Sequence, residues 1–287
     1  MPTKGRLSVI ATPIGNLDDL SPRAATTLGA VDLLLCEDTR HTGKLLRHMG
    51  VKVPCRSLHA HNEAEQVTAL VALLEQGQHL GLVSDAGTPC LSDPGARLVD
   101  AAHAAGAAVE TLPGPFAVAA GLAASGLNPV PMTFWGFPPK ASAARRRWMR
   151  ERLSPAPGPS AMTHAIYVPG RDLRAVLADL EQVAPQGRVV IARELTKLHE
   201  SYLRGTPAEL KESISDTQLR GEAVVLIEVS EPLAGAETEA IDVDAELRAA
   251  IDQGVDRKPF LRALSQRTGQ SRRTLYARWV ELSKTEG

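Results

Sequence analysis

Four short segments carry most of the residues able to do chemistry. They are Thr12-Pro13-Ile14-Gly15-Asn16-Leu17-Asp18-Asp19, Glu37-Asp38-Thr39-Arg40, Ser84-Asp85-Ala86-Gly87-Thr88-Pro89 with Ser92-Asp93-Pro94-Gly95 just beyond it, and Leu112-Pro113-Gly114-Pro115-Phe116-Ala117. All are built from small residues and turn formers, and three of the four hold carboxylates. Glycine and alanine let backbone approach a ligand closely. A carboxylate suits a ligand with positive charge or ribose hydroxyls better than one with phosphates. Neither G-x-G-x-x-G nor G-x-x-x-x-G-K-[ST] occurs, so dinucleotide and Walker-type phosphate sites lack their signatures. A nucleoside-bearing cation such as S-adenosylmethionine fits such loops, and a nucleoside triphosphate does not. Tight turns with helix caps are the alternative reading of any single loop.

These segments follow short apolar runs, and the runs alternate with helical stretches. Strands are expected at Leu7 to Ala11, Val31 to Cys36, Leu80 to Val83 and Val109 to Leu112. Ser21-Pro22 reads as an N-cap with proline in the first turn. Further helices are expected at Thr42 to Met49, at Glu63 to Gln76 (Val67, Leu70, Val71 and Leu74 spaced by three or four) and from Asp93-Pro94 onward, with an Ala-rich helix after Pro115. Strand–helix alternation of this kind builds an α/β domain on a mostly parallel sheet, whose ligands bind at the carboxyl ends of the strands. Ser154-Pro-Ala-Pro-Gly-Pro-Ser160 can continue neither helix nor central strand, which sets the expected domain boundary there. Alternation resumes with strands at Ala165 to Val168, Val189 to Ala192 and Ala223 to Val229, and helices at Asp172 to Val183 and Pro207 to Ile214. Residues 231–254 have a net charge of -6 and residues 255–287 of +5, marking a third, small unit with helices at Lys258 to Thr268 and Arg272 to Leu282. The expected domains are 1–153, 161–230 and 243–287.

The chain has 287 residues, 44% apolar and 23% charged, enough for two domains with real cores. Its 32 basic and 33 acidic residues exclude a uniformly basic coat but allow local basic patches. Three widely spaced cysteines (Cys36, Cys55, Cys90) without a C-x-x-C argue against a disulfide framework or thiolate zinc site, and for a reduced, cytoplasmic protein. The N-terminal residues reach polar and turn residues too soon for a secretory signal, and no run of about 18 apolar residues occurs. No membrane association is expected.

The strings ATPIGNLDDL, CEDTRHT, SDAGTPCLSDPG, LPGPFAV, FWGFPPK, ARELTK and GEAVVLIE together resemble the ribosomal RNA small-subunit methyltransferase I family, of the tetrapyrrole-methylase fold. The resemblance runs from about Leu7 to Glu228. It implies two α/β domains with an S-adenosylmethionine cleft between them, usually in a homodimer, plus the small helical C-terminal unit. It further implies methylation of a cytidine ribose 2′-hydroxyl in the decoding region of 16S ribosomal RNA, so that the small ribosomal subunit is the partner. Carried over residue by residue, Thr12, Pro13, Ile14 and Gly15 form a first cofactor loop. Asp85, Ala86, Gly87 and Thr88 run beside the methionine and ribose, Phe116 and Ala117 approach the methionine end, and Tyr167, Ala192 and Arg193 cover the adenosine. At Tyr167-Val168-Pro169-Gly170-Arg171 the chain departs from the family: Val168 replaces an acid, and only Arg171 echoes a His-Arg pair.

In-line attack by a ribose oxygen on a sulfonium methyl asks mainly for alignment, helped by a base. Glu37, Asp38, His59 and His61 are the candidate bases, and Arg40 could hold a phosphate or polarise the ribose. Asp38 and Arg40 rank first as catalytic residues with Glu37, against the alternative that they simply pair. His59-x-His61 lacks a third ligand, and no metal is expected. Two basic clusters offer RNA contacts: Arg145, Arg146 and Arg147 within residues 140–152, also of net charge +5, and Lys258, Arg272 and Arg273 in the C-terminal unit, with Tyr276 or Trp279 for stacking. Solvated helix faces are the alternative for both. Two other functions remain open on the sequence: a small-molecule methylase of the same fold, and a non-catalytic ribosome-assembly protein on a methylase scaffold.

Overall fold

The structure, a computed structural model, describes residues 4–153, 161–229, 243–253, 255–268 and 270–284. Strands β1 (Arg6–Ile10), β2 (Leu33–Cys36), β3 (Cys55–Ser57), β4 (His79–Leu82) and β5 (Ala108–Leu112) form the first sheet in the order β3-β2-β4-β1-β5. Every pairing is parallel. The crossovers run through α1 (Pro22–Leu28), α2 (Thr39–His48), α3 (Glu63–Glu75) and α4 (Ala96–Ala104). Ser21 caps α1, its Oγ accepting from Ala24 N at 3.1 Å. A parallel sheet covered on both faces needs apolar strands, and Leu7, Ile10, Leu34, Leu35, Leu80 and Leu82 are fully or almost fully buried. Because all five strands point the same way, the four chemistry-bearing loops emerge along one edge.

Helix α5 (Ala117–Ser125) follows β5 but packs on the second sheet, formed by β6 (Met132–Phe134), β7 (Met162–Pro169), β8 (Arg188–Arg193), β9 (Ser201–Gly205) and β10 (Glu222–Val229) in the order β6-β7-β10-β8-β9. The contact is close at Gly121, where an added Cβ would lie 3.2 Å from that of Ala192. The opposite face carries α6 (Ser142–Arg152), α7 (Leu173–Val183) and α8 (Pro207–Ser213) over Ile166, Val168, Ile191 and Val225. Only β6–β7 is parallel; the other three pairings are antiparallel.

The change of sheet therefore falls between β5 and α5, not at 154–160 as expected. Residues 154–160 lie outside the described residues, and both their neighbours in the chain, α6 and β7, belong to the second domain. The proline-rich composition signalled the end of a helix. Sheet membership was decided instead by the pairing of Met132–Phe134 with Thr163–Ala165. Helices α9 (Val243–Asp252), α10 (Arg257–Thr268) and α11 (Arg272–Lys284) form the C-terminal unit around Leu247, Leu261, Leu264, Leu275, Trp279 and Leu282. Of the acidic stretch, residues 231–242 and 254 lie outside the described residues, as do Ser230 before it and Gly269.

Candidate functional site

The loops at the carboxyl edge of the first sheet lock into one another. Thr12 and Gly87 exchange two backbone hydrogen bonds, Thr12 N to Gly87 O at 2.9 Å and Gly87 N to Thr12 O at 3.0 Å. Gly87 has φ +82°, a conformation that favours glycine, and an added Cβ would sit 3.2 Å from Ile14 Cγ2. Thr88 Oγ1 donates to Pro115 O at 2.9 Å, tying this loop to the one after β5. The first loop also meets the second domain. Asn16 N donates to Thr196 Oγ1 at 2.9 Å, and a Cβ at Gly15 would lie 2.7 Å from Leu195 O.

Between the domains lies a cleft of about 270 Å³. Ile14, Ala86, Gly87 and Thr88 line it from the first domain, Phe116 and Ala117 from the start of α5, and Tyr167 and Ala192 from the second sheet. Thr12, Pro13 and Asp85 line a separate small cavity of about 50 Å³ beside His41 and Thr42. Arg193 is buried away from the cleft: its Nη2 donates to Arg220 O at 3.3 Å, and its Nε has no partner among the described residues. The sequence reading missed Leu91, Asp93, Glu194, Leu195, Lys197, Glu222 and Val224, which also line the cleft. Several lie in the strings SDAGTPCLSDPG, ARELTK and GEAVVLIE; Asp93 stands in a chemistry-bearing segment but reads as a helix start, and no local signal singles out the others. Among the described residues, four other than glycine adopt left-handed φ, all in the two segments that supply lining residues: Cys90 (69°) and Ser92 (71°) flanking Leu91, and Glu194 (49°) and Thr196 (65°) flanking Leu195. Each costs about 1–2 kcal/mol, and such strain collects at functional sites.

The expected catalytic trio is arranged differently. Asp38 is the N-cap of α2, and its carboxylate accepts from Arg40 N (2.8 Å), Arg40 Nε (3.3 Å) and Arg40 Nη2 (3.2 Å). Arg40 hydrogen bonds hold its carboxyl below the usual carboxylate range, and the Arg40 side chain is 90% exposed. Asp38 N in turn donates to Asp85 Oδ1 at 3.1 Å, joining the loops after β2 and β4. Asp38 is thus fully engaged in structure, and neither it nor Glu37 or Arg40 lines the cleft. Burial, then Asp85, raises the Glu37 carboxyl, with His59 opposing. Burial, then Glu37, Asp85 and Glu222, pushes Asp93 to about 6, and burial, then Asp93 and Glu222, pushes Tyr167 to about 12. The His59 and His61 rings are 6.0 Å apart, and no group of three or more potential metal ligands occurs among the described residues.

Of the expected RNA contacts, Arg145 is a correction. It is buried, with its Nη2 2.6 Å from Asp179 Oδ2, and its side chain is only 5% exposed. Arg146 shares Asp179 at 2.9 Å, while Arg147 is exposed and pairs with Glu151 at 2.9 Å. Lys258, Arg272 and Arg273 are exposed. Lys258 and Arg272 line a groove of about 740 Å³ together with Arg257, Arg262 and Tyr276. The Arg257 guanidinium lies 4.8 Å from the centre of the Tyr276 ring, whereas Trp279 is buried in the small core. No described helix is long and apolar enough to cross a membrane.

Residues 6–211 match the profile of the Tetrapyrrole (Corrin/Porphyrin) Methylases. A Xylella fastidiosa protein named ribosomal RNA small subunit methyltransferase I is 39% identical over 279 residues, spanning 96% of this chain and 99% of that one. Its namesake from a Synechocystis species is 38% identical, spanning 97% and 98%. These spans include most of the C-terminal unit, which lies beyond the family profile. Among solved structures, the methyltransferase CobJ superposes with a TM-score of 0.55 at 20% identity, over 78% of this chain and 93% of that one. A uroporphyrin-III C-methyltransferase from Thermus thermophilus complexed with S-adenosylhomocysteine gives 0.53 at 15% identity, over 78% and 97%. The likeness to these two is one of fold.

Proposed function

The chain belongs to the tetrapyrrole methylases and, within them, to the ribosomal RNA small subunit methyltransferase I family, and from that premise we propose that it methylates a cytidine ribose 2′-hydroxyl in the decoding region of 16S ribosomal RNA, using S-adenosylmethionine. The observation that carries the reading is the inter-domain cleft: a glycine cradle that a Cβ would fill, an apolar wall, and carboxylates at Asp93, Glu194 and Glu222. Lys197, the one cation among the described lining residues, is held by Glu194 at 3.3 Å. Such a lining suits a cationic nucleoside and repels polyphosphates.

Ile14, Ala86, Gly87 and Thr88 on one wall and Ala192, Leu195 and Val224 on the other would hold the cofactor. When bound it supplies an electrophilic methyl group on a sulfonium. The protein then has to align the acceptor oxygen with that methyl and exclude water, tasks that suit two rigid walls with few mobile side chains. Asp38 and Asp85 act in this reading as positioning residues that fix two loops to each other. Exposed Arg40, Lys258, Arg272 and Arg273 contact RNA phosphates. The C-terminal unit favours RNA over a small-molecule substrate, because the relatives named for ribosomal RNA span it while the general methylase profile stops at residue 211. The same reading makes the protein a cytoplasmic homodimer; a single-chain mass at micromolar concentration overturns that part.

Calorimetric titration with S-adenosylhomocysteine tests the cleft. The wild type binds, and Ala86→Trp, which places a large ring from an exposed lining position into the cleft, abolishes binding without lowering the thermal midpoint. Tritium transfer from the methyl donor to ribose of unmethylated small subunits then checks the acceptor. Absence of binding by the wild type, with and without RNA, overturns the proposal.

A further inference from the structure

Asp93 sits where its local sequence, Ser92-Asp93-Pro94-Gly95, reads as the opening of a helix, yet the structure gives the capping duty to another residue. Glu63, from the first turn of α3, reaches across to α4. Its Oε1 accepts from the backbone N–H groups of Gly95 (3.1 Å), Arg97 (3.0 Å) and Leu98 (3.3 Å). The N-terminal donors of α4 are thereby satisfied without Asp93. No described residue donates a hydrogen bond to the Asp93 carboxylate. It lies half-buried on the cleft wall, facing the second-domain strands that supply Tyr167 and Glu222.

The backbone around it is tightly determined. Ser92 precedes it with φ +71°, Pro94 follows, and Gly95 has φ +126° where a Cβ would meet Leu82 Cδ2 at 2.5 Å. The backbone thus fixes where the Asp93 side chain leaves the chain, and no hydrogen bond among the described residues occupies its carboxylate. The charged and titratable groups around it are also unusual. Glu37 and Asp85 face it from the ends of β2 and β4, and Glu222 from β10. Cys90, in its own loop, and Tyr167, on β7, are both held up by burial, at about 11 and about 12, and remain neutral near pH 7. Across the cleft, Lys197 is committed to Glu194. Burial and these negative neighbours bring Asp93 to about 6, so at pH 7 it is mostly ionised yet basic enough to take a proton. Asp38 presents the opposite case, its carboxylate occupied by Arg40 and stabilised as an anion.

We propose that Asp93 is the general base of the methyl transfer, accepting the proton of the acceptor hydroxyl. The inference rests on the reading that the cleft holds the methyl donor. The acceptor oxygen forms its bond to the methyl carbon while the carbon–sulfur bond breaks, leaving its electron pair on sulfur. The hydroxyl proton passes to the Asp93 carboxylate and from there to solvent. Substrate hydroxyl, carboxylate and sulfonium thus become methyl ether, carboxylic acid and thioether, and charge balances.

Asp93→Asn keeps the size of the side chain and removes its basicity. The expected result is a fall in kcat of roughly 100-fold or more, with wild-type calorimetric affinity for S-adenosylhomocysteine and an unchanged thermal midpoint. The wild-type kcat rises with pH up to about 6 and is flat above, because the base must be deprotonated; the variant lacks that limb. In the free protein, a carboxyl ¹³C resonance titrating near 6 disappears in Asp93→Asn, a readout independent of turnover. Should Asp93→Asn fail to fold, Asp93→Ser is measured in the same way. A variant with wild-type kcat at saturating donor and RNA overturns the role, as does a loss confined to S-adenosylhomocysteine affinity. Failure of the wild type to bind S-adenosylhomocysteine overturns the underlying reading instead, and so separates the two.

Discussion

On α6, Arg145 is buried against Asp179, whereas on α10 and α11 Lys258, Arg262, Arg272 and Arg273 stand exposed with no described acid within ion-pair distance. Residues 140–152 and 255–287 nevertheless carry the same net charge of +5. The first cluster is largely spent on structure. Arg145 donates four hydrogen bonds, from Nε to Asp179, from Nη2 to Ala175 O and from Nη1 to the carbonyls of Pro139 and Lys140, while Nη2 also ion-pairs with Asp179. This anchors α6 to α7. Hydrogen bonds from Ser142, Arg146 and Arg145 outweigh burial and hold the Asp179 carboxyl below the usual range. The second cluster faces solvent around Tyr276, and among its described side chains Arg278 is withdrawn from it, by Asp244 and Glu281. Charge counted along a sequence becomes a field for RNA only where the fold leaves it unpaired.

The sharpest way to break this contrast is at its buried end. Removing one partner of a buried ion pair costs about 3 kcal/mol or more, because the remaining charge is left without compensation. Arg145→Met should therefore lower the urea midpoint of the second domain strongly, while RNA affinity of the folded protein stays as in the wild type. A large loss of RNA affinity with an unchanged midpoint would reverse the assignment. At the exposed end, the triple variant Lys258→Ala, Arg262→Ala, Arg272→Ala should leave stability and S-adenosylhomocysteine binding alone. It should weaken RNA binding and flatten the dependence of log K on log salt by about 2, at ~0.7 per phosphate contact on single-stranded RNA. An unchanged slope would mean that this groove does not touch RNA.

The same distinction between local and distant partners explains what could be read beforehand. The parallel first sheet, the cap at Ser21-Pro22 and the loops at the strand ends were legible, because apolar period and turn chemistry are local signals. The edge strands β3, β6 and β9 were not: they span three to five residues, and β3 and β6 pair with residues 21 and 31 positions away, while β9, though next to β8 in sequence, has no apolar alternation strong enough to mark it. Two of the three antiparallel pairings of the second sheet, β10 with β7 and β10 with β8, join strands distant in sequence and escaped for the same reason. Within the site, eight of the cleft residues are named through the family resemblance, six of them in turn-rich loops, whereas Asp93, though inside a chemistry-bearing segment, reads only as the opening of a helix. Its local motif reads as a cap, and the true cap, Glu63, comes from 32 residues earlier. Asp38 was over-read in the opposite direction, since a carboxylate two residues before an arginine serves equally as a helix cap. Arg145 looked like surface charge because Asp179, its partner, lies 34 residues away.

Arg147 gives the smallest and most discriminating test. Its side chain is 83% exposed, and its pairing with Glu151, one helical turn away, draws the Glu151 carboxyl below its usual range without burying either group. An exposed pair of this kind contributes little to stability, because solvent screens it and both long side chains lose freedom to form it. Arg147→Ala should leave the thermal midpoint where it is. If α6 contributes one phosphate contact through this residue, the salt slope falls by about 0.7; if the whole electrostatic footprint belongs to α10 and α11, the slope does not move. Combining Arg147→Ala with the triple variant then decides whether the two clusters follow one RNA strand. Additive slopes mean that each holds its own phosphates, and a combined loss no larger than that of the triple variant assigns α6 to architecture alone.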